Sequence, residues 1–148
     1  MFTTQAKELY LSNLTKLKEE LSAFKNETDL WHTQGDVKNS PGNLALHLAG
    51  NLKHFIGAQL GNTGYVRNRD KEFADKNIPR AEIITGIDEA MEVLNSVLSK
   101  LTNEDLQKNY PILFLGKQHS TLEILFILYG HLNYHLGQIN YQRRLLNS

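Results

Sequence analysis

Apolar residues between positions 84 and 101 recur with the period of an α-helix. Their successive steps of 3, 4, 3, 4 and 3 residues keep all six on one side of a helix: Ile84, Ile87, Met91, Leu94, Leu98 and Leu101. An amphipathic helix is stable when its apolar face packs against other elements, so this spacing predicts a helical bundle. Because proline is favoured in a first helical turn, we expect this helix to run from Pro79 to Leu101.

Three further segments are predicted to be helical. Near the N-terminus, apolar residues at steps of 4, 3, 4 and 3 predict a long amphipathic first helix: Tyr10, Leu14, Leu17, Leu21 and Phe24. After the turn formers of segment 31–43, a second helix is expected to begin near Pro41 to Asn43 and to carry Leu44, Leu48, Leu52, Phe55 and Ile56. Ser120 and Glu123 form a capping-box sequence, which predicts a fourth helix from Thr121 to about Leu146.

The connections between these helices differ in character. The polar, glycine-marked segment between Gly61 and Pro79 predicts a long surface crossover. Segment 109–120 holds an apolar run that ends at Gly116, which predicts a small β-hairpin before the fourth helix. With 148 residues and no repeat, we expect one all-α domain, 1–148, built as a four-helix bundle.

Composition excludes several kinds of partner. Sixteen basic and sixteen acidic residues cancel, so we expect no direct binding of nucleic acid. The longest apolar run, 124–129, is too short to span a bilayer, and the N-terminal segment lacks a signal peptide, so we expect a cytoplasmic protein that binds no membrane. Because cysteine is absent from the sequence, any metal ligands must come from His, Asp and Glu.

His131 and His135 stand four residues apart in the predicted fourth helix. This spacing places both imidazoles on one face, within reach of a single metal ion. His47 and His54, seven residues apart in the second helix, share a face but differ by about 10 Å along its axis, so at most one is expected to join the pair. Three imidazoles suit a divalent metal and leave at least one coordination position for water or substrate.

Other interpretations of these residues are open. His131 and His135 are alternatively bundle histidines that hydrogen-bond to carbonyls, with Gln138 as polar filler. The three remaining histidine positions are expected to be partly exposed polar residues: His32, His54 and His119. Gly130 and Gly137 either permit a close helix approach beside the site or are tolerated weak points.

The crossover carries a cluster of charged and aromatic residues: Arg67, Arg69, Glu72 and Phe73. Two arginines can hold a carboxylate or phosphate, so the cluster is a candidate anion-binding rim. The alternative is a solvated loop with local ion pairs. Whether His54, Arg67 or Arg69 lines a pocket stays open at this level.

Two segments resemble the DinB-like superfamily, also called YfiT-like metal-dependent hydrolases. They are segment 43–51, which contains His47, and segment 131–139, which contains His131 and His135. Segment 67–73 resembles one branch of that superfamily. The resemblance covers nearly the full chain, and two helix motifs about 84 residues apart are more specific than the histidine pair alone. Leu136 departs from the pattern, since relatives often carry a basic residue there.

The resemblance implies an antiparallel bundle of up-down-down-up topology and a metal triad of His47, His131 and His135. It implies hydrolysis of a small molecule, or transfer of a low-molecular-weight thiol, in a homodimeric protein. We expect a divalent metal, zinc or nickel, and the sequence assigns no further catalytic residue. The alternatives are a non-catalytic binding or scaffolding bundle, and a dimerising interaction protein that uses the apolar stripe of the third helix.

Overall fold

The computed structural model describes residues 2–147, and all regular secondary structure in that range is helical. Six helices follow along the chain: α1 (Phe2–Ala23), α2 (Pro41–Leu52), α3 (Arg69–Ala74), α4 (Arg80–Lys100), α5 (Asn103–Gln107) and α6 (Thr121–Leu146). A 3₁₀ segment, Glu27–Trp31, follows α1. Helix α2 continues without a break through a π-helical segment, Lys53–Ala58, and a last turn, Gln59–Gly61. The prediction of an all-helical protein is therefore confirmed for the described residues.

Local side chains account for where the long helices begin. Ser40 caps α2 by accepting from the backbone amide of Asn43, and Pro41 occupies the first turn. The predicted capping box of α6 forms in full, since Ser120 and Glu123 each accept from the other's backbone amide. Pro79 is the N-cap residue of α4, so this helix begins at Arg80, one residue later than expected.

The core lies between α1, α2, α4 and α6. The five apolar residues predicted for the first helix are all buried, although the last of them, Phe24, directly follows the end of α1. In α4 the apolar stripe is rotated from its predicted position. Ile87, Leu94 and Leu98 are buried as expected, but the other predicted members are only half-buried: Ile84, Met91 and Leu101. Their places in the core are taken by Ile83, Ala90 and Val97.

The four long helices contact one another in a defined pattern. Helix α1 packs on α4 and α6, and α2 packs on the same two helices, while α3 lies against α2. The apolar stripe of α4 is therefore covered within the chain by α1 and α2. Among residues 2–147, no helix has both the length and the apolar character needed to cross a membrane.

The two unusual connections differ from their predictions. The crossover is long, as expected, but its middle forms α3. Segment 109–120 turns back on itself through two isolated bridges, Asn109 with Ser120 and Phe114 with Lys117, and the described residues contain no strand. The predicted β-hairpin is therefore wrong. Leu115 and Gly116, with positive φ angles of 50° and 77°, form the two-residue turn between Phe114 and Lys117. Between the two bridges, Pro111 lacks an amide hydrogen and cannot donate to a ladder.

Candidate metal centre

Packing of α2 against α6 brings together the three histidines that the sequence singled out. His47, His131 and His135 each present one ring nitrogen, and the three nitrogens lie within 4.8 Å of one another. The Nε2 atoms of His47 and His131 are 3.0 Å apart, and the rings of His131 and His135 are 4.6 Å apart, between centroids. The three side chains are close enough to hold a metal ion.

The structure separates His47 from His54, which spacing alone could not do. His54 lies in the π-helical segment of α2, where its ring packs against that of Phe55 at 4.7 Å. Its Nδ1 atom is buried and has no hydrogen-bond partner among the described residues. His54 is therefore outside the cluster, two helical turns from His47. His32 is exposed and His119 half-buried, in line with their expected character.

Glu72, from the short helix α3, orients His47. This carboxylate is only 6% exposed, and its Oε1 atom accepts from His47 Nδ1 at 3.0 Å. The bond places the proton on Nδ1 and leaves the Nε2 lone pair facing the other two histidines. Carboxylates that hold metal-ligating histidines in this way fix both the tautomer and the ring orientation.

Arg67 in turn holds Glu72 through a two-pronged ion pair. Its Nε donates to Oε2 at 2.9 Å, and its Nη2 donates to Oε1 at 2.8 Å. Burial by itself would raise the pKa of Glu72, but hydrogen bonds from His47 and Arg67 outweigh it and lower that pKa. Glu72 is therefore ionised at neutral pH. Arg67 belongs neither to an open rim nor to a solvated loop, because its side chain is 11% exposed.

The position of the Glu72 side chain depends on residues of α2. A Cβ atom on Gly50 would collide with the Glu72 carboxylate, so glycine is required where α3 approaches α2. Asn43 anchors α3 by donating to the backbone oxygens of Glu72 and Asp75, at 2.9 and 2.8 Å. Sequence reasoning missed these roles. The only sequence signal for them was that Gly50 lies in segment 43–51 and Glu72 in segment 67–73, both of which resemble the superfamily.

Gln138 orients His135 through a hydrogen bond at Nδ1, as Glu72 orients His47. The Nδ1 atom of His135 lies 2.7 Å from Gln138 Oε1, which can only accept, so Nδ1 carries the proton. Gln138 is thus an orienting residue and not polar filler. Gly130 and Gly137 do not create a close approach, because a Cβ on either would meet nothing within 4 Å.

The surroundings keep His131 and His135 neutral. Burial lowers the pKa of His131 to about 4, and charge on His135 and His47 acts in the same direction. Burial also lowers the pKa of His135, against the opposing effect of its hydrogen bond to Gln138. Because only neutral imidazole binds a metal, these two side chains are in the protonation state that metal binding needs at neutral pH.

A cleft of about 560 Å³ opens beside the cluster, and His135 and Gln138 form part of its wall. Val37, Leu44 and Tyr141 contribute apolar surface to it. Its volume lies within the range usual for small-molecule sites. A small molecule can therefore reach the edge of the histidine cluster.

The all-helical fold therefore brings together three histidines that lie close enough to hold a metal ion, and two of them are oriented by oxygen acceptors. The chain belongs to the family described as "Protein of unknown function (DUF1572)", whose profile matches residues 3–148. No curated protein matches the chain.

Proposed function

We propose that this protein binds a divalent metal ion, zinc or nickel, through His47, His131 and His135. The observation that carries the proposal is the convergence of three ring nitrogens within 4.8 Å. The hydrogen bonds at Nδ1 of His47 and of His135 support it, because they turn Nε2 of each ring away from the orienting residue. The two helix motifs that hold these histidines, segments 43–51 and 131–139, support membership of the DinB-like superfamily.

The contacts between helices support the up-down-down-up topology of that superfamily. Hydrogen bonds pair α1 with α4 in opposite directions: Lys7 with Ser99, and Lys18 with Asp88. They pair α1 with α6 in the same direction: Tyr10 with Leu125, and Glu20 with Asn140. They pair α2, and Asn39 just before it, with α6 in opposite directions: His47 with His131, and Asn39 with Gln142.

We propose that the protein transfers a low-molecular-weight thiol to an electrophile. A divalent metal held by the triad would lower the pKa of a thiol or water that enters beside it. Glu72 contacts the triad but is held by Arg67 and His47, so it is an orienting group and not a free base. A thiol has a pKa of about 8.5, far below that of water, so it needs less assistance to ionise. This difference favours the thiol.

In the proposed reaction the thiol sulfur forms a bond to carbon while the bond from that carbon to its leaving group breaks. The thiol proton and the leaving group pass to solvent. The cleft lined by His135 and Gln138 is the proposed place for the electrophile. Metal-dependent hydrolysis is the second candidate, because a set of three imidazoles also suits activation of water.

Metal content tests the site. We expect purified wild-type protein to retain about one equivalent of zinc or nickel, and His131→Ala and His135→Ala to lose it. His32→Ala is the matched control, because His32 is exposed and outside the cluster. Equal metal content in all four proteins would overturn the site.

Turnover is tested separately, with metal-loaded protein, a thiol and an aryl halide. Formation of thioether that depends on His135 would support transfer. A site that binds metal without turning over thiol or water would instead indicate the non-catalytic binding or scaffolding protein. We also propose a cytoplasmic location and a homodimer, as the resemblance implies, and light scattering at micromolar concentration tests the dimer.

A further inference from the structure

The two arginines of the crossover have different environments. Arg67 is held in its ion pair with Glu72, whereas Arg69 is exposed. The guanidinium carbon of Arg69 lies 5.1 Å from the centre of the Phe73 ring. Within residues 2–147, no hydrogen bond or ion pair engages the Arg69 guanidinium. Arg69 therefore presents a positioned cation with its hydrogen-bond donors still available.

Phe73 connects this cation to the candidate metal centre. Its ring lies 4.7 Å from the ring of His47, between centroids. Taken with the stacking distance, this places the Arg69 guanidinium carbon within about 10 Å of the His47 ring.

We propose that Arg69 binds a carboxylate group of the thiol substrate and so selects anionic thiols for the metal centre. This inference rests on the proposed function. One unpaired guanidinium balances one negative charge, and its planar fork matches the two oxygens of a carboxylate. Stacking on Phe73 restricts the guanidinium before the substrate arrives, which lowers the entropy lost on binding. A spacing of less than about 10 Å fits a thiol and a carboxylate within one small molecule.

Binding spectroscopy with cobalt(II) in place of the native metal tests this inference without an activity assay. Cobalt–sulfur charge-transfer absorption reports entry of a thiol, so 3-mercaptopropionate and the uncharged 2-mercaptoethanol can be titrated in turn. The ratio of their two dissociation constants is the preference for the carboxylate. Comparing that ratio between variants cancels the intrinsic difference between the two thiols.

We expect Arg69→Gln to reduce the preference by about threefold to tenfold, the size of one charge-assisted contact at a partly exposed site. Lys71→Gln is the matched control, because it removes a positive charge from the same helix without disturbing the stack on Phe73. Helix content by circular dichroism and cobalt affinity should be unchanged in both variants.

Each outcome decides the matter. A preference that falls in Arg69→Gln and persists in Lys71→Gln supports the proposal. No preference in the wild-type protein, or equal preference in wild type and Arg69→Gln, overturns it while leaving the metal site intact. Failure of the wild-type protein to bind cobalt overturns the proposed function itself, and this inference with it.

Discussion

The lowered pKa of His131 makes the stability of the metal-free protein depend on pH in a defined direction. In the unfolded chain this imidazole has a pKa near 6.5, whereas burial lowers the pKa to about 4 in the folded state. As pH falls through 6.5, the unfolded chain therefore takes up a proton that the folded chain does not. The free energy of unfolding must fall between pH 6.5 and pH 4 and become independent of this group below that range.

The size of the effect follows from the same two pKa values. A difference of one pKa unit corresponds to about 1.36 kcal/mol. Lowering the pH through the full range therefore lowers the free energy of unfolding by about 3 kcal/mol, of which about 2.5 kcal/mol is lost by pH 4.5. His131→Asn removes the titrating group. We expect the variant to lose about 2.5 kcal/mol less stability than wild type between pH 7.5 and pH 4.5, whatever its stability at pH 7.5.

Urea denaturation of chelator-treated protein, followed by circular dichroism, measures this difference. Carboxylates titrate in both proteins, so subtracting the two pH profiles leaves the contribution of His131, including its charge interaction with His135 and His47. His32→Asn is the control, because His32 is exposed and lies outside the histidine cluster. Parallel profiles for wild type and His131→Asn would refute the reasoning that this imidazole is buried and neutral.

Three further substitutions, and a fourth as a control, test the residues that support the site and the fold. Glu72→Gln should weaken zinc binding by about 10-fold to 100-fold in a competition titration, because the orienting carboxylate of His47 is lost; unchanged affinity would contradict that role. Gly50→Ala should also weaken zinc binding, since its Cβ displaces Glu72, whereas Gly86→Ala, with open space around it, should leave affinity unchanged and stabilise α4 by up to about 1 kcal/mol. Ser120→Ala should cost about 1 kcal/mol in chemical denaturation through loss of the α6 cap, and a neutral result would count against the capping box.

The helices were predictable because their signals are local. Apolar periodicity and capping residues act within a few positions of the chain, so the sequence located α1, α2, α4 and α6 closely. The direction in which a helix faces is not local. The stripe of α4 turned toward Ile83, Ala90 and Val97 because the positions of α1 and α2 decide which flank of an apolar face is buried.

The candidate site divides in the same way. The sequence by itself placed His131 and His135 on one helix face, because that relation depends only on the helical repeat. Spacing alone could not choose between His47 and His54, and His47 was implied only by the resemblance. The tertiary structure brings His47 to the pair, because that depends on how far α2 has advanced along its axis where it meets α6. Tertiary structure also decided the roles of Glu72 and the two arginines. They lie in a crossover whose short helix is positioned by contact with α2 and not by any pattern of its own.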